Sequence, residues 1–159
     1  MSLSPLDGTL FGDSQPCYGC GPQHPHGFRL RFERHGRGVM ARFTPGDLHQ
    51  GAPGIMHGGL VATVADETAG WALIERTGCF GFTTAFSCRY VRPVRVGTEA
   101  LAFAEVTKET ARMVSLAVRI TQAGAECWRG DFKFVLLDKH GAEKLLERPL
   151  PEAWLRFCK

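Results

Sequence analysis

One stretch constrains this chain more than any other. From Leu60 to Ile74 nearly every residue is apolar or small, yet Asp66 and Glu67 stand in the middle of the run. A helix that is apolar on most of its faces is an enclosed helix rather than a surface one. A carboxylate inside it is costly unless it is paired, hydrogen-bonded or open to a cavity. His57-Gly58-Gly59 opens the run and Gly78 follows it, so a buried helix is predicted from about His57 to about Thr77.

The flanking sequence alternates with a period of two. Phe28, Leu30 and Phe32 alternate with charged residues, and Val39 to Thr44 follows the turn His35-Gly36-Arg37-Gly38, which predicts a hairpin over 28–44. After the helix come Phe82 to Arg92, Val96 to Lys108, Arg112 to Thr121 and Ala125 to Leu137, four strand candidates joined by short links. Consecutive strands with short links imply an antiparallel sheet. The prediction is an α+β fold in one domain over 1–159: about five to six antiparallel strands wrapped around one long central helix, an irregular lead-in over 1–27 and a docked tail over 138–159. A sheet covers a helix on about three sides only, so a second copy of the chain is expected to cover the remaining one.

A length of 159 residues suits one sizeable core, and a net charge of +3 is too small to argue for nucleic acid. No apolar run is long enough to span a membrane once Asp66 and Glu67 interrupt it, and no leader pattern opens the chain, so the expected location is the cytoplasm. In such a compartment the six cysteines are expected as reduced thiols.

The chemistry concentrates at the helix. Its first backbone amides have no partner within it, and the dipole adds positive potential there. Gly58 and Gly59 let a substrate approach that backbone closely, which makes an oxyanion-type site for a polarised carbonyl. Asp66 lies nine residues after His57. At roughly 100° and 1.5 Å per residue the two sit on opposite faces about 13 Å apart, so one site using both must be built from two chains. Asp66 is flanked at helical spacing by the small Gly59, Thr63 and Gly70, whereas Glu67 has Leu60, Val64, Trp71 and Ile74 around it. This favours Asp66 for chemistry and Glu67 for a structural hydrogen bond or a pocket wall, with a paired structural acid as the competing reading for each.

His57-Gly58-Gly59, Asp66, and the segment from Thr83-Thr84-Ala85-Phe86 through Tyr90 to Arg92-Pro93 together resemble the hotdog-fold thioesterases of the PaaI-like type and the wider thioesterase superfamily. Cys17-Tyr18-Gly19-Cys20-Gly21-Pro22 and the loop His49 to Gly54 are similar to the same group, so the resemblance covers roughly 17–137. It implies a hotdog fold and hydrolysis of an acyl-CoA thioester. The Gly58 amide would hold the carbonyl, and Asp66 of the partner chain would act as general base or nucleophile. Thr83 would place Asp66 or the water, on a strand face opposite Phe82 and Phe86, and His57 would orient the loop. Where relatives carry an Asn or an acid before the His-Gly-Gly, this chain offers Gln50 and His49. A homodimer with shared sites, or a tetramer, is implied, and no cofactor.

Arg89 and Arg92 near the end of one strand are candidates for the phosphates of coenzyme A, with Arg95, Arg129 and Lys133 as outlying members of the patch. Cys17, Cys20, His24 and His26 form a conceivable metal cluster, but His24-Pro25-His26 is cramped, and the expectation is a structural loop without a metal. The alternative to an enzyme is a hotdog module that binds acyl-CoA without cleaving it. A hydratase on this fold is weaker, because it needs an Asp–His pair that opposite faces of one helix do not supply.

Overall fold

The computed structural model describes residues 5–159. Seven strands form one continuous antiparallel sheet: β1 (Leu6–Asp7), β2 (Arg31–His35), β3 (Gly38–Phe43), β4 (Gly81–Tyr90), β5 (Ala100–Glu109), β6 (Met113–Gln122) and β7 (Ala125–Leu136). The spatial order is β1-β2-β3-β5-β6-β7-β4. Helix α1 (Gly58–Thr77) packs against one face of it. This is the expected α+β architecture with one more strand than predicted. The addition is β1, two residues that pair with β2 through Leu6 and Asp7 and are too short to carry a periodic signal.

The sequence explains α1 closely. The His57 side chain accepts from the Gly59 amide at its start, and Gly78 closes it in the left-handed region with φ 72. Val64, Ala65, Ala69 and Leu73 are fully buried, and the buried Thr68 hydroxyl returns its hydrogen bond to the Val64 carbonyl. Facing them are Val114, Leu116, Val118 and Ile120 of β6 and Trp128, Phe132 and Phe134 of β7, in the period of two that the sequence displays. β6 and β7 join through Ala123-Gly124, both at positive φ, the geometry of a tight hairpin turn.

Two features depart from the sequence reading. β4 does not neighbour β5. It crosses to the far side of the sheet, pairs with β7 and leaves its other edge open. Its pairing also shifts between Thr83 and Ala85, so that Thr83 opposes Phe134 while Phe86 opposes Phe132. The extra residue, Thr84, reverses the parity. Thr83 and Phe86 therefore share the helix-facing side rather than lying on opposite faces as predicted.

Residues 138–159 form α2 (Lys139–Leu146) and α3 (Glu152–Leu155) and dock through Leu150 and Phe157. Phe11 packs on Trp154 and Phe157 with ring centroids 4.5 and 4.6 Å apart, and the Arg156 guanidinium donates to the Leu10 carbonyl. The two ends of the chain thus clasp each other. Among the described residues no helix is long and apolar enough to cross a membrane.

Candidate active site

At the edge of the sheet, Asp66 of α1 meets Thr83 of β4. The Thr83 hydroxyl donates to Asp66 Oδ1 at 2.6 Å. Helix α1 supplies the carboxylate and the bulged part of β4 supplies the hydroxyl, so the pair joins the helix to the outermost strand. Asp66 forms no ion pair with a basic side chain among the described residues. Burial pushes its carboxyl above the ordinary range, the Thr83 hydrogen bond pulls it back, and the charge of Cys17 adds a lesser upward push. Because Thr83 engages only Oδ1, the other oxygen is left to a ligand or water.

The cleft beside this pair is lined by Phe11, Trp71, Phe80, Phe82, Phe134 and Trp154 together with Asp66, Glu67 and Thr83. Of the aromatic residues, Phe11 and Trp154 come from the two ends of the chain, and their approach to Asp66 has no local signature in the sequence. Cys17 and Cys20 complete the wall. Cys17 Sγ lies 2.9 Å from Glu67 Oε1, so Glu67 makes the structural hydrogen bond that its apolar neighbours suggested. Burial, followed by Cys17, pushes the Glu67 carboxyl up to about 8. The hydrogen bond between the two cysteines lowers Cys17 to about 5 and raises Cys20. His24 and His26 stand apart from this cluster. His24 packs edge-on against Tyr18, and its Nδ1 accepts from the His26 amide.

The helix start opens on a different cleft, lined by Met56, Gly58, Val61, Tyr90 and Arg92. Gly58 is the first helical residue, and its amide is one the helix cannot satisfy. Its carbonyl accepts from the Tyr90 hydroxyl at 2.7 Å, which fixes the peptide from β4. That contact spans 32 residues, and no local pattern in the sequence signals it. The Gly59 amide is already committed to His57 Nδ1 at 3.0 Å, so of the two glycines only Gly58 keeps its amide open to a ligand. His57 acts here as a helix cap, and its own amide ties back to the His49 carbonyl. Gln50 is likewise engaged in its loop. Its Nε2 donates to the Asp47 carbonyl, and its Oε1 accepts from the Gly54 amide.

The predicted arginine pair divides between clefts. Arg92 borders the Gly58 cleft and donates to the Glu126 carbonyl. Arg89 lines a separate cleft formed by β4, β6 and β7, with Arg119, Arg129, Glu126 and Asp131. Within one chain, then, the carboxylate–hydroxyl pair and the open amide belong to different clefts.

Residues 53–127 match the thioesterase superfamily. Over 85 residues the chain is 32% identical to acyl-coenzyme A thioesterase THEM4 of Xenopus laevis, a match that covers 53% of this chain and 37% of that protein, so the chain matches little more than a third of this relative's length. Among solved structures, zebrafish thioesterase superfamily member 2 superposes with a TM-score of 0.65 at 20% identity, over 72% of this chain and 88% of that one. A hypothetical thioesterase from Streptococcus pneumoniae TIGR4, solved with coenzyme A, superposes with a TM-score of 0.62 at 22% identity, over 67% of this chain and 87% of that one.

Proposed function

Starting from a chain whose residues 53–127 carry the thioesterase-superfamily pattern on a hotdog fold, we propose that it hydrolyses acyl-coenzyme A thioesters. The observation that carries this reading is the Asp66–Thr83 pair: a half-buried carboxylate, held by one hydroxyl, free of basic partners among the described residues and set in a cleft. The name of the Xenopus relative and the coenzyme A bound to the streptococcal protein support the substrate class.

Water positioned by the second oxygen of Asp66 attacks the thioester carbonyl while the carboxylate takes its proton. The carbonyl oxygen becomes an oxyanion held by the Gly58 amide, with the helix dipole behind it. Collapse of the tetrahedral adduct breaks the C–S bond. The thiolate of coenzyme A leaves and takes up a proton, and the free acid remains. Direct attack by Asp66 on the carbonyl is the competing route to the same products.

Because Gly58 and Asp66 of one chain border different clefts, the working unit is a homodimer. The open edge of β4, which carries the half-exposed Phe86 and Tyr90, supports that assembly. Arg92, which lines the Gly58 cleft, would take a phosphate of the coenzyme. The aromatic wall of the Asp66 cleft suits an aryl or compact acyl group.

Thiol release from a panel of aryl- and alkyl-CoA thioesters, run with wild type and Asp66→Asn side by side, tests the proposal. Turnover on some panel member that falls by at least about a hundredfold in the variant is the expected result. Undiminished turnover in Asp66→Asn removes Asp66 from the mechanism. Acyl-CoA binding with no thiol release by wild type replaces the enzyme with a binding module.

A further inference from the structure

The Cys-x-x-Cys of the lead-in has an ending that the sequence concealed. His24 and His26, the neighbouring candidates, point elsewhere, and the fold brings in Glu67 from α1 instead. Cys17 Sγ, Cys20 Sγ and a Glu67 carboxylate oxygen all lie within 4.8 Å of one another. We propose that these three atoms bind one zinc-type divalent ion, which fastens the lead-in loop to α1 beside Asp66.

The donor chemistry suits such an ion. Two thiolates and a carboxylate match a borderline-soft cation, and three protein donors leave the fourth corner of a tetrahedron to water. Around a tetrahedral zinc the donors stand roughly 3.5–3.8 Å apart. The three atoms already lie within 4.8 Å of one another, and the Cys17–Glu67 edge, at 2.9 Å, has to open by about half an ångström to reach that geometry.

The surroundings are built for the same purpose. Gln15 is buried. Its Oε1 accepts from the Cys17 amide at 2.8 Å, and its Nε2 faces Cys20 Sγ at 3.6 Å, the kind of N–H···S support that metal-bound thiolates receive. The turn closes through the Gly21 amide on the Cys17 carbonyl at 2.8 Å. A Cβ on Gly19 would sit 2.0 Å from Glu67 Cγ, and one on Gly21 would sit 2.5 Å from the Cys17 carbonyl oxygen. Glycine at both positions is what lets the turn press against the helix and aim its sulfurs at Glu67. No basic side chain forms an ion pair with Glu67 among the described residues, so none competes with a cation for its carboxylate.

The test uses the full chain. Protein purified without chelator is assayed for zinc, then stripped under reducing conditions and titrated with Co2+ while the visible and near-ultraviolet spectrum is recorded. One ion per chain is expected, with the thiolate-to-cobalt band and the intense d–d bands of a tetrahedral site, both displaced by zinc. Cys20→Ser abolishes the thiolate band. Glu67→Gln keeps both thiols and weakens cobalt affinity by more than about tenfold, a cost incurred even by residues that only orient a ligand. Asp66→Asn binds cobalt as wild type does. A reduced wild-type chain that develops no thiolate-to-cobalt band overturns the proposal. So does a Cys17–Cys20 disulfide in the purified protein whose reduction yields no metal uptake, and so does a Glu67→Gln variant with undiminished affinity. The spectrum decides this independently of thioester hydrolysis, so the metal site and the enzyme reading fail separately.

Discussion

Thr83 has one hydroxyl, and it points at one oxygen of the Asp66 carboxylate. A hydrogen bond to a charged group contributes about 1.5–3 kcal/mol. Thr83→Val keeps the shape and removes the donor, and is expected to lower kcat by about ten- to a hundredfold with little change in KM. Thr83→Ser restores most of the loss. Steady-state kinetics on the best acyl-CoA substrate checks both, and a Thr83→Val enzyme with wild-type kcat shows that the hydroxyl only packs. At this scale Asp66 was legible in the sequence because an acid in an apolar helix requires an explanation. Glu67 was legible as a wall but not as a partner of Cys17, since a contact across 50 residues leaves no spacing to read. The surroundings of Gln50 were hidden for a related reason: what an amide side chain touches depends on the loop that folds around it, and here Asp47 and Gly54 engage both ends.

Helix α1 is stopped by Gly78 at φ 72, with open space where a side chain would stand. Gly78→Ala therefore meets no neighbour and registers only backbone strain. It is expected to lower unfolding free energy by about 1–2 kcal/mol in urea titration, with hydrolysis per folded chain unchanged. A neutral substitution means that the helix ends elsewhere in solution. The limits of this helix could be read from His57 and Gly78 because caps are local chemistry. Strand β4 was harder. Its alternation suggested one parity from Phe82 to Tyr90, and the bulge at Thr84 breaks it. Its place beside β7 was also hidden, because strand order depends on which faces remain to be covered after the helix has packed.

At the scale of the whole molecule, the carboxylate and the open helix amide of one chain face different clefts. If two chains share each site, co-expressing Asp66→Asn with Gly58→Pro recovers hydrolysis that neither variant has alone, because the mixed dimer rebuilds one complete site. Size-exclusion and activity measurements on the isolated mixed species check this. An inactive mixed dimer places the whole site within a single chain.

The clasp between the two ends of the chain sets how the cleft breathes. Phe11, Trp154, Phe157 and Arg156 hold it through rings and a guanidinium–carbonyl bond, the Phe80 amide adds a backbone bond to the Phe157 carbonyl, and loosening it breaks none of the sheet ladder. Such a unit opens at a lower free energy than the strands it covers. In hydrogen exchange, amides of 152–158 would trade their protons well before those of β6 and β7. The entrance to the Asp66 cleft can thus admit a bulkier guest by local unfolding while the sheet that aligns Thr83 stays intact.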